Sequence, residues 1–331
     1  MGEVANLADR QSPRVNSLED TTPEVSVLLV NWNTREMTLE CLRSLYAETS
    51  STRFECIVMD NASADGSADA IAAEFPQVRL YPEAANHGFG KATNLEVAVA
   101  RAPLVLLLNT DTLVLDRAVD KLVAFARANP SARIWGGRTV FKDGSLNSTS
   151  AWQRITPWSA ICFALGLRAL FPGNRWLDPE RVLFHNGQPR RCDIVTGCFL
   201  LIERQFWNEL GGFDPAFFMY GEESDLCLRA GPRGARPLVT PEACIVHYGG
   251  ASAKSSGLNA TQIFEARMRL SSRHQRGLSR VICRGSLLLA AWLRKTGYGL
   301  RARLTGNSRT KASAEQWRTV WRSRERWSVA R

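Results

Sequence analysis

The chain has 331 residues, 45% apolar and 22% charged, with a formal net charge of +10. This is ordinary globular composition, sufficient for one large domain with an appendage or for two modest domains. No stretch reaches the roughly 18 uncharged apolar residues of a membrane-spanning helix, which excludes an integral helical membrane protein.

Residues 1–22 read as a polar, poorly ordered arm, because Glu3, Asp9 and Glu19 interrupt them and they hold no apolar core of a signal peptide. Glu24 to Val30 (EVSVLLV) is then a buried strand, bounded by Pro23 and the polar Asn31-Trp32-Asn33-Thr34. A helix is expected over Arg35 to Glu48, with Met37, Cys41, Leu42 and Leu45 at helical spacing and Thr34 as its N-cap. Phe54 to Asp60 (FECIVMD) is a second strand, followed by the polar loop Asp60 to Ser67 and a helix to Phe75. A third strand covers Val78 to Tyr81, and a helix over His87 to Arg101 starts at a glycine-rich turn. Pro103 to Leu108 (PLVLLL) is a fourth strand ending in Asn109-Thr110-Asp111-Thr112, and a helix over Asp116 to Ala128 closes the repeat.

Strands alternating with helices predict a parallel sheet covered on both faces, with ligands beyond the carboxyl ends of its strands. Asn31, Asp60, Asn61, Asn109 and Asp111 all fall on that edge and are expected to face one crevice. After Ser131 the rhythm changes. Arg133 to Phe141 and Cys192 to Glu203 read as strands, and Ala151 to Asn174 is apolar and aromatic. Phe206 to Leu210 and Glu222 to Ala230 are short helices, and Pro237 to Val246 carries the last strand. The eight cysteines form no C-x-x-C pair and several lie in apolar runs, so buried free thiols are expected.

Several short stretches carry groups that can do chemistry. Asp111, directly after an apolar strand, can hold a divalent cation through oxygen, although Asn109 and Asp111 alone also fit a helix-capping turn. Asp60-Asn61 can accept hydrogen bonds from a base or a ribose, and taken alone reads better as a turn former. Asn86 to Asn94 (NHGFGKATN) is neither a dinucleotide fingerprint, since Thr93 replaces the third glycine, nor a P-loop, since Ala85 and Ala92 stand at required positions. It keeps a close backbone approach and amides at a helix start, suited to phosphate. Glu222, Glu223 and Asp225 favour a helix N-terminus, and one of them with a raised pKa can act as a general base. His247 ends an apolar strand and pairs with Asp111 as a metal donor if the fold brings them together.

The stretches VSVLLVNWNT, VMDNASADGS, NHGFGKATN, LLLNTDT, TGCFLLIERQFWNELGGFDPAFFMYGEESDLCLR and IVHYGGAS follow one another between Val25 and Ser252. Together they resemble the family 2 glycosyltransferases of the GT-A fold, particularly the bacterial rhamnosyltransferase-like branch. The resemblance implies an α/β fold in which a nucleotide-binding half and an acceptor-binding half share one mixed, mostly parallel sheet. It implies that Asn31, Asp60, Asn61, Asn86, Gly88, Gly90, Lys91, Asn94 and Asn109 bind the nucleotide-sugar donor. Gly197, Cys198, Phe199 and Arg229 would then line the acceptor side. Asp111, Asn109 and His247 would hold a divalent metal, Mn²⁺ or Mg²⁺, with Asn109 replacing the first Asp of the family's D-x-D motif. Glu223 stands at the family's catalytic Asp, flanked by Glu222 and Asp225. The implied reaction is inverting transfer of a sugar, best matched by rhamnose from dTDP-rhamnose, to a glycan or lipid-linked acceptor in cell-envelope polysaccharide synthesis. A nucleotide-sugar-binding protein without turnover is the alternative.

From Phe264 to Arg331 there are 17 Lys and Arg against 3 Asp and Glu, a balance of +14 that leaves −4 on the other 263 residues. Such a basic tail, with Trp317, Trp321 and Trp327 among its arginines, suits an anionic membrane surface. No nucleic-acid motif accompanies it, so a nucleic-acid partner is not expected. The expected organisation is an arm over 1–22, a catalytic domain over 23–253 and a helical, membrane-associating tail over 254–331. The expected location is cytoplasmic, on the inner face of the cell membrane.

Overall fold

The computed structural model describes residues 22–147, 149–184, 187–249 and 256–329. The expected polar arm lies almost wholly outside them. The elements in chain order are β1 (Val25–Asn31), α1 (Arg35–Glu48), β2 (Phe54–Asp60), α2 (Ser67–Glu74), β3 (Arg79–Pro82), α3 (Phe89–Val99), β4 (Leu104–Leu108), β5 (Thr112–Val114), α4 (Ala118–Ala128), β6 (Ile134–Val140) and β7 (Ala151–Trp152). Then come α5 (Pro157–Ala164), α6 (Leu167–Leu170), β8 (Arg190–Arg191), β9 (Ile194–Val195), β10 (Phe199–Glu203), α7 (Arg204–Leu210), α8 (Glu222–Ala230) and β11 (Leu238–His247). Four helices close the chain: α9 (Ser256–His274), α10 (Gly277–Thr305), α11 (Ser308–Arg322) and α12 (Arg324–Ser328).

The chain divides into two compact units, one of residues 1–152 and 184–252, the other of 153–183 and 253–331. The first unit holds a sheet in the order β3-β2-β1-β4-β10-β6-β11-β5, with β8 pairing β11 at one end. β3, β2, β1 and β4 run parallel, β10 is antiparallel to both its neighbours, and β11 is parallel to β6. This is the expected mixed, mostly parallel GT-A architecture. β1 and β4 are apolar on both pleats because both faces are covered: Val27, Leu29, Leu106 and Leu108 pack with Leu42 and Leu45 of α1 and Leu122 of α4. Each such side chain contributes roughly 1.5–3 kcal/mol by leaving water. The opposite face receives α3, which carries the fully buried Glu96. Its carboxyl accepts from the Met59 amide, and burial raises its pKa well above the carboxylate range.

Thr34 occupies the cap position of α1 without capping it. Its hydroxyl donates to Asn31 Oδ1 instead, so the tertiary contact wins over the local one. The long strand expected over Cys192 to Glu203 is two strands, β9 and β10, parted at Thr196-Gly197-Cys198. All eight cysteines are free and all but Cys244 are buried.

In the second unit, residues 153–183 join the C-terminal helices, so the stretch set apart as a tail is half of a packed body rather than an appendage from residue 254. α5 starts in a capping box between Thr156 and Ser159 with Pro157 at its first position. Phe264, Met268, Leu287, Ala290, Ala291, Val320 and Trp327 form its core. The tryptophans expected at a membrane surface are therefore placed differently: Trp327 is fully buried with its indole N–H on the Val320 carbonyl, and Trp317 and Trp321 pack against the core. No helix among the described residues is long and apolar enough to cross a membrane.

Candidate active site

The site is assembled at the carboxyl edge of the sheet, within the first unit. In-register pairing of β1 with β2 sets Asn31 beside Asp60. Asn31 Nδ2 donates to Asp60 Oδ1 at 2.5 Å and to Ser63 Oγ at 3.0 Å. Its Oδ1 accepts from the hydroxyls of Thr34 and Thr38, each at 2.7 Å. Asp60 Oδ2 accepts from the Ser63 amide at 3.1 Å. Both residues are thus buried and braced by the protein. They fix the loop in which a nucleotide would lie, and any ligand contact uses their remaining lone pairs.

Asn61 clamps the glycine-rich turn. Its Nδ2 donates to Asn86 Oδ1 at 3.0 Å, and its Oδ1 accepts from the His87 amide at 3.0 Å. Asn86 Oδ1 also accepts from the Gly88 amide at 2.8 Å. Gly88 has φ 77°, and a Cβ there would lie 2.7 Å from the Phe218 carbonyl and ring, so both backbone conformation and space demand glycine. Gly90 and Lys91 follow in the first turn of α3. Asn94 is committed elsewhere: its amide group donates to the Phe213 carbonyl at 2.8 Å and accepts from the Phe213 amide at 2.9 Å. It ties α3 to the Gly-Gly-Phe loop rather than opening toward a donor.

The antiparallel insertion of β10 beside β4 pairs Phe199 with Leu108 and lets the Asn109 amide donate to the Cys198 carbonyl at 3.2 Å. On the far side, β11 pairs with β5 so that His247 stands opposite Thr112. Asp111 and His247, 136 positions apart in the numbering, meet with Oδ1 and Nε2 at 3.3 Å. Burial works against a charged imidazole, but the Cys198 and Asp111 side chains outweigh it and raise the His247 pKa to about 10. Thr34 links the two halves of the edge, its hydroxyl lying 3.1 Å from that of Thr110.

The carboxylates of α8 separate by environment. Asp225 is buried and accepts from Arg229 Nε at 2.7 Å, while the same guanidinium donates to the carbonyls of Leu210 at 2.6 Å and Gly212 at 2.7 Å. That pair is a brace for the loop after α7. Glu222 is buried with Oε2 lacking a hydrogen-bond partner, and its pKa is raised well above the usual range by burial and by Glu223. Glu223 is partly exposed, and burial raises its pKa too. Its Cβ approaches Gly197, where an added methyl would lie 3.6 Å away.

Tyr220, which the sequence reading passed over, lies near these groups. Its phenol pKa is raised by burial and, to a smaller extent, by the charges of Glu222, Asp111 and Glu223. It holds a left-handed φ of 69° immediately before Gly221. Strain of that kind in a bulky residue clusters at functional sites, and no local sequence signal marks it.

Asp111 offers an oxygen donor and His247, once a bound cation displaces its proton, a nitrogen donor beside it, a set that fits Mn²⁺. Among the described residues no group of three His, Cys, Asp or Glu stands close enough to hold an ion alone. The residues thus fit only a partial shell, which ligand oxygens or water would have to complete.

The family model of glycosyl transferase family 2 matches residues 26–209. The chain is 29% identical over 256 residues to N-acetylglucosaminyl-diphospho-decaprenol L-rhamnosyltransferase of Mycobacterium tuberculosis, covering 72% of this chain and 82% of that one. It is 25% identical over 173 residues to rhamnosyltransferase WbbL of Escherichia coli, covering 49% and 61%. Among solved structures it is similar to the mannosyltransferase PcManGT from Pyrobaculum calidifontis in complex with GDP-Man and Mn²⁺, with TM-score 0.58, 15% identity, and 99% and 94% of the two chains covered.

Proposed function

Since this chain belongs to glycosyl transferase family 2 and is a glycosyltransferase of the rhamnosyltransferase-like branch, we propose that it moves rhamnose from dTDP-rhamnose to a hydroxyl of a lipid-linked glycan acceptor, with inversion, in cell-envelope polysaccharide synthesis. The observation that carries this reading is that Glu223 lies against Gly197, whose neighbour Cys198 accepts from the Asn109 amide at 3.2 Å, two residues before Asp111 and its contact with His247. It sets a carboxylate of raised proton affinity near an oxygen and a nitrogen donor that would hold a cation.

In this reading the turn at Asn86 to Gly90 cradles the diphosphate with backbone amides at the start of α3. Asn31, Asp60 and Asn61 keep the nucleotide loop in shape. Asp111 and His247, with Asn109, would hold a divalent metal, and the chemistry it would supply when bound is neutralisation of charge on the diphosphate leaving group. Glu223 takes the proton from the acceptor hydroxyl as its oxygen attacks the anomeric carbon. Its raised pKa suits a base working near neutral pH. Glu223 in turn raises the proton affinity of the buried Glu222 by like charge. Gly197, beside Glu223, forms the acceptor side, with the side chains of Cys198 and Phe199 buried in the core beneath it, and Arg229 with Asp225 steadies the loop after α7.

The test is a transfer assay with dTDP-rhamnose, UDP-sugars and GDP-sugars against an N-acetylglucosaminyl-diphospho-polyprenol acceptor, with Mn²⁺ or chelator. The expected result is metal-dependent formation of an inverted rhamnosyl product from dTDP-rhamnose. Donor binding without any transfer or hydrolysis would leave a nucleotide-sugar-binding protein.

The second unit is the part we assign to an anionic membrane surface on the cytoplasmic side. It holds 22 Lys and Arg against 5 Asp and Glu, a balance of +17, while the rest of the chain holds 20 against 27, a balance of −7. On α10, Leu278, Val281, Leu288 and Trp292 are exposed at helical spacing, on the side turned away from the buried Cys283, Ser286 and Ala290. An apolar stripe on a basic helix suits the membrane interface. Removing the C-terminal helices would uncover the unit's own core, so surface substitutions are the cleaner probe. Val281→Glu with Trp292→Glu should lower co-sedimentation with anionic vesicles at least about tenfold, each basic residue otherwise contributing about 1 kcal/mol there. Equal sedimentation of variant and wild type would remove this face from membrane docking.

A further inference from the structure

The second unit also carries a cluster of charge that the transfer reaction does not use. Three guanidinium groups surround the ring of Phe163: those of Arg168, Arg267 and Arg294 lie 5.7, 4.6 and 4.5 Å from its centroid. Arg168 and Arg267 share one carboxylate: both donate to Glu180 Oε2, at 3.2 and 3.1 Å, and Arg267 also donates to Glu180 Oε1 at 2.8 Å. Asp178 lies 3.8 Å from Arg168 and 3.9 Å from Arg181. Arg294 donates to carbonyls, those of Ala290 at 3.2 Å and Phe163 at 2.7 Å, and is in no described ion pair. Four cations against two anions leave an excess of two positive charges in one place.

That excess is not neutralised within the described residues. Burial and the neighbouring charges of Arg168 and Arg267 lower the Arg294 pKa. The Nε groups of Arg181 and Arg267 are buried without a hydrogen-bond partner. The contacts with Phe163, and of Arg294 with Trp317 at 5.4 Å, hold the three guanidinium groups close together, although the carbonyls and Glu180 take up most of their N–H groups. The Arg168 side chain is 39% exposed and that of Arg267 16%, so the cluster reaches solvent through Arg168. A surplus of two positive charges beside an accessible guanidinium matches the charge and oxygens of a phosphate group.

We propose that Arg168, Arg267 and Arg294 around Phe163 form a phosphate-binding site, its ligand the phosphate or diphosphate group of a lipid. The proposal does not depend on the transfer reading, because the cluster lies in the second unit and needs neither donor nor metal. A network that served stability alone would gain nothing from two surplus charges, since buried cations without partners cost free energy.

The test uses the full-length protein in chelator, titrated calorimetrically with inorganic pyrophosphate. In a parallel arm it is sedimented with phosphatidylcholine vesicles with and without phosphatidic acid. Arg294→Gln and Arg168→Gln are compared with wild type, and a thermal melt shows that each variant folds. A fall of about tenfold or more in both variants is expected, the scale of a charge-assisted hydrogen bond to phosphate. Loss in the pyrophosphate arm assigns the site to a diphosphate group, and loss confined to phosphatidic acid vesicles assigns it to a membrane head group. Unchanged binding by folded variants overturns the proposal, and so does wild type that binds neither probe. Pyrophosphate held in the donor site of the first unit gives the unchanged outcome, because neither substitution touches that unit.

Discussion

Replacing Glu223 with Gln should lower kcat by about 10²–10⁴-fold, the range of positioned proton transfer, while donor binding stays near wild type. The amide keeps the shape of the side chain and its place beside Gly197, but it cannot accept the acceptor's proton. The same substitution should raise stability. Burial lifts the Glu223 pKa above its ordinary value, and Glu222 couples to it. The folded protein therefore holds the proton more tightly than the unfolded chain. The stability present when both states are protonated is lost as pH rises from the ordinary glutamate value through the raised one. Gln never ionises, so melting temperatures of the two proteins should coincide in acid and diverge toward neutral pH, with the variant higher. Turnover by a rapid-quench assay, nucleotide-induced thermal shift and the pH series of melts check the three parts. Near-normal turnover would move the base to Glu222. Loss of turnover together with loss of stability would make Glu223 a packing residue.

Asp111→Asn should lower kcat/KM by about 10²-fold or more and remove the response to added Mn²⁺, because charge neutralisation of a departing diphosphate is worth several kcal/mol. Asn109 already lacks a charge, so Asp111 is the one anionic donor of that loop. His247 would remain, held in β11 opposite Thr112 by the strand register. Binding of Mn²⁺ in the presence of a nucleoside diphosphate, followed by the loss of the free-ion electron paramagnetic resonance signal, reads the same effect without turnover. A variant with wild-type kcat/KM and an unchanged Mn²⁺ titration would show that Asp111 and His247 are an ion pair of the scaffold.

Local pattern alone located most elements of the catalytic body. Its apolar runs are short, rich in Val, Leu and Ile, and punctuated by polar turns. Such runs become strands buried on both faces wherever helices of matching period follow them. Pattern failed where pairing between distant strands decided the outcome. β5 holds only Thr112–Val114 and acquires strand form by pairing with β11. Thr34 reads as a cap and instead bonds Asn31, and Asn94 reads as a donor ligand and instead holds the Phe213 backbone. An amide or hydroxyl side chain looks the same in sequence whichever partner the fold brings to it.

The sequence by itself determined the chemistry on offer: carboxylates at strand and helix ends, a glycine turn at a helix start, and a histidine closing a strand. It also determined the α/β order that aligns the ends of β1, β2 and β4, because a parallel sheet with short crossovers leaves little choice of topology. Tertiary structure decided which of those groups work together. The antiparallel β10 and the distant β11 bring Cys198 and His247 toward Asp111, and Glu223 comes to lie against Gly197 just before β10. It decided equally that residues 153–183 and the basic C-terminal helices form one body, with Trp327 inside it and Trp292 outside. The reason is the same in each case. Period and propensity act over a few residues, whereas burial, charge and strand register are set by whatever the finished fold places alongside.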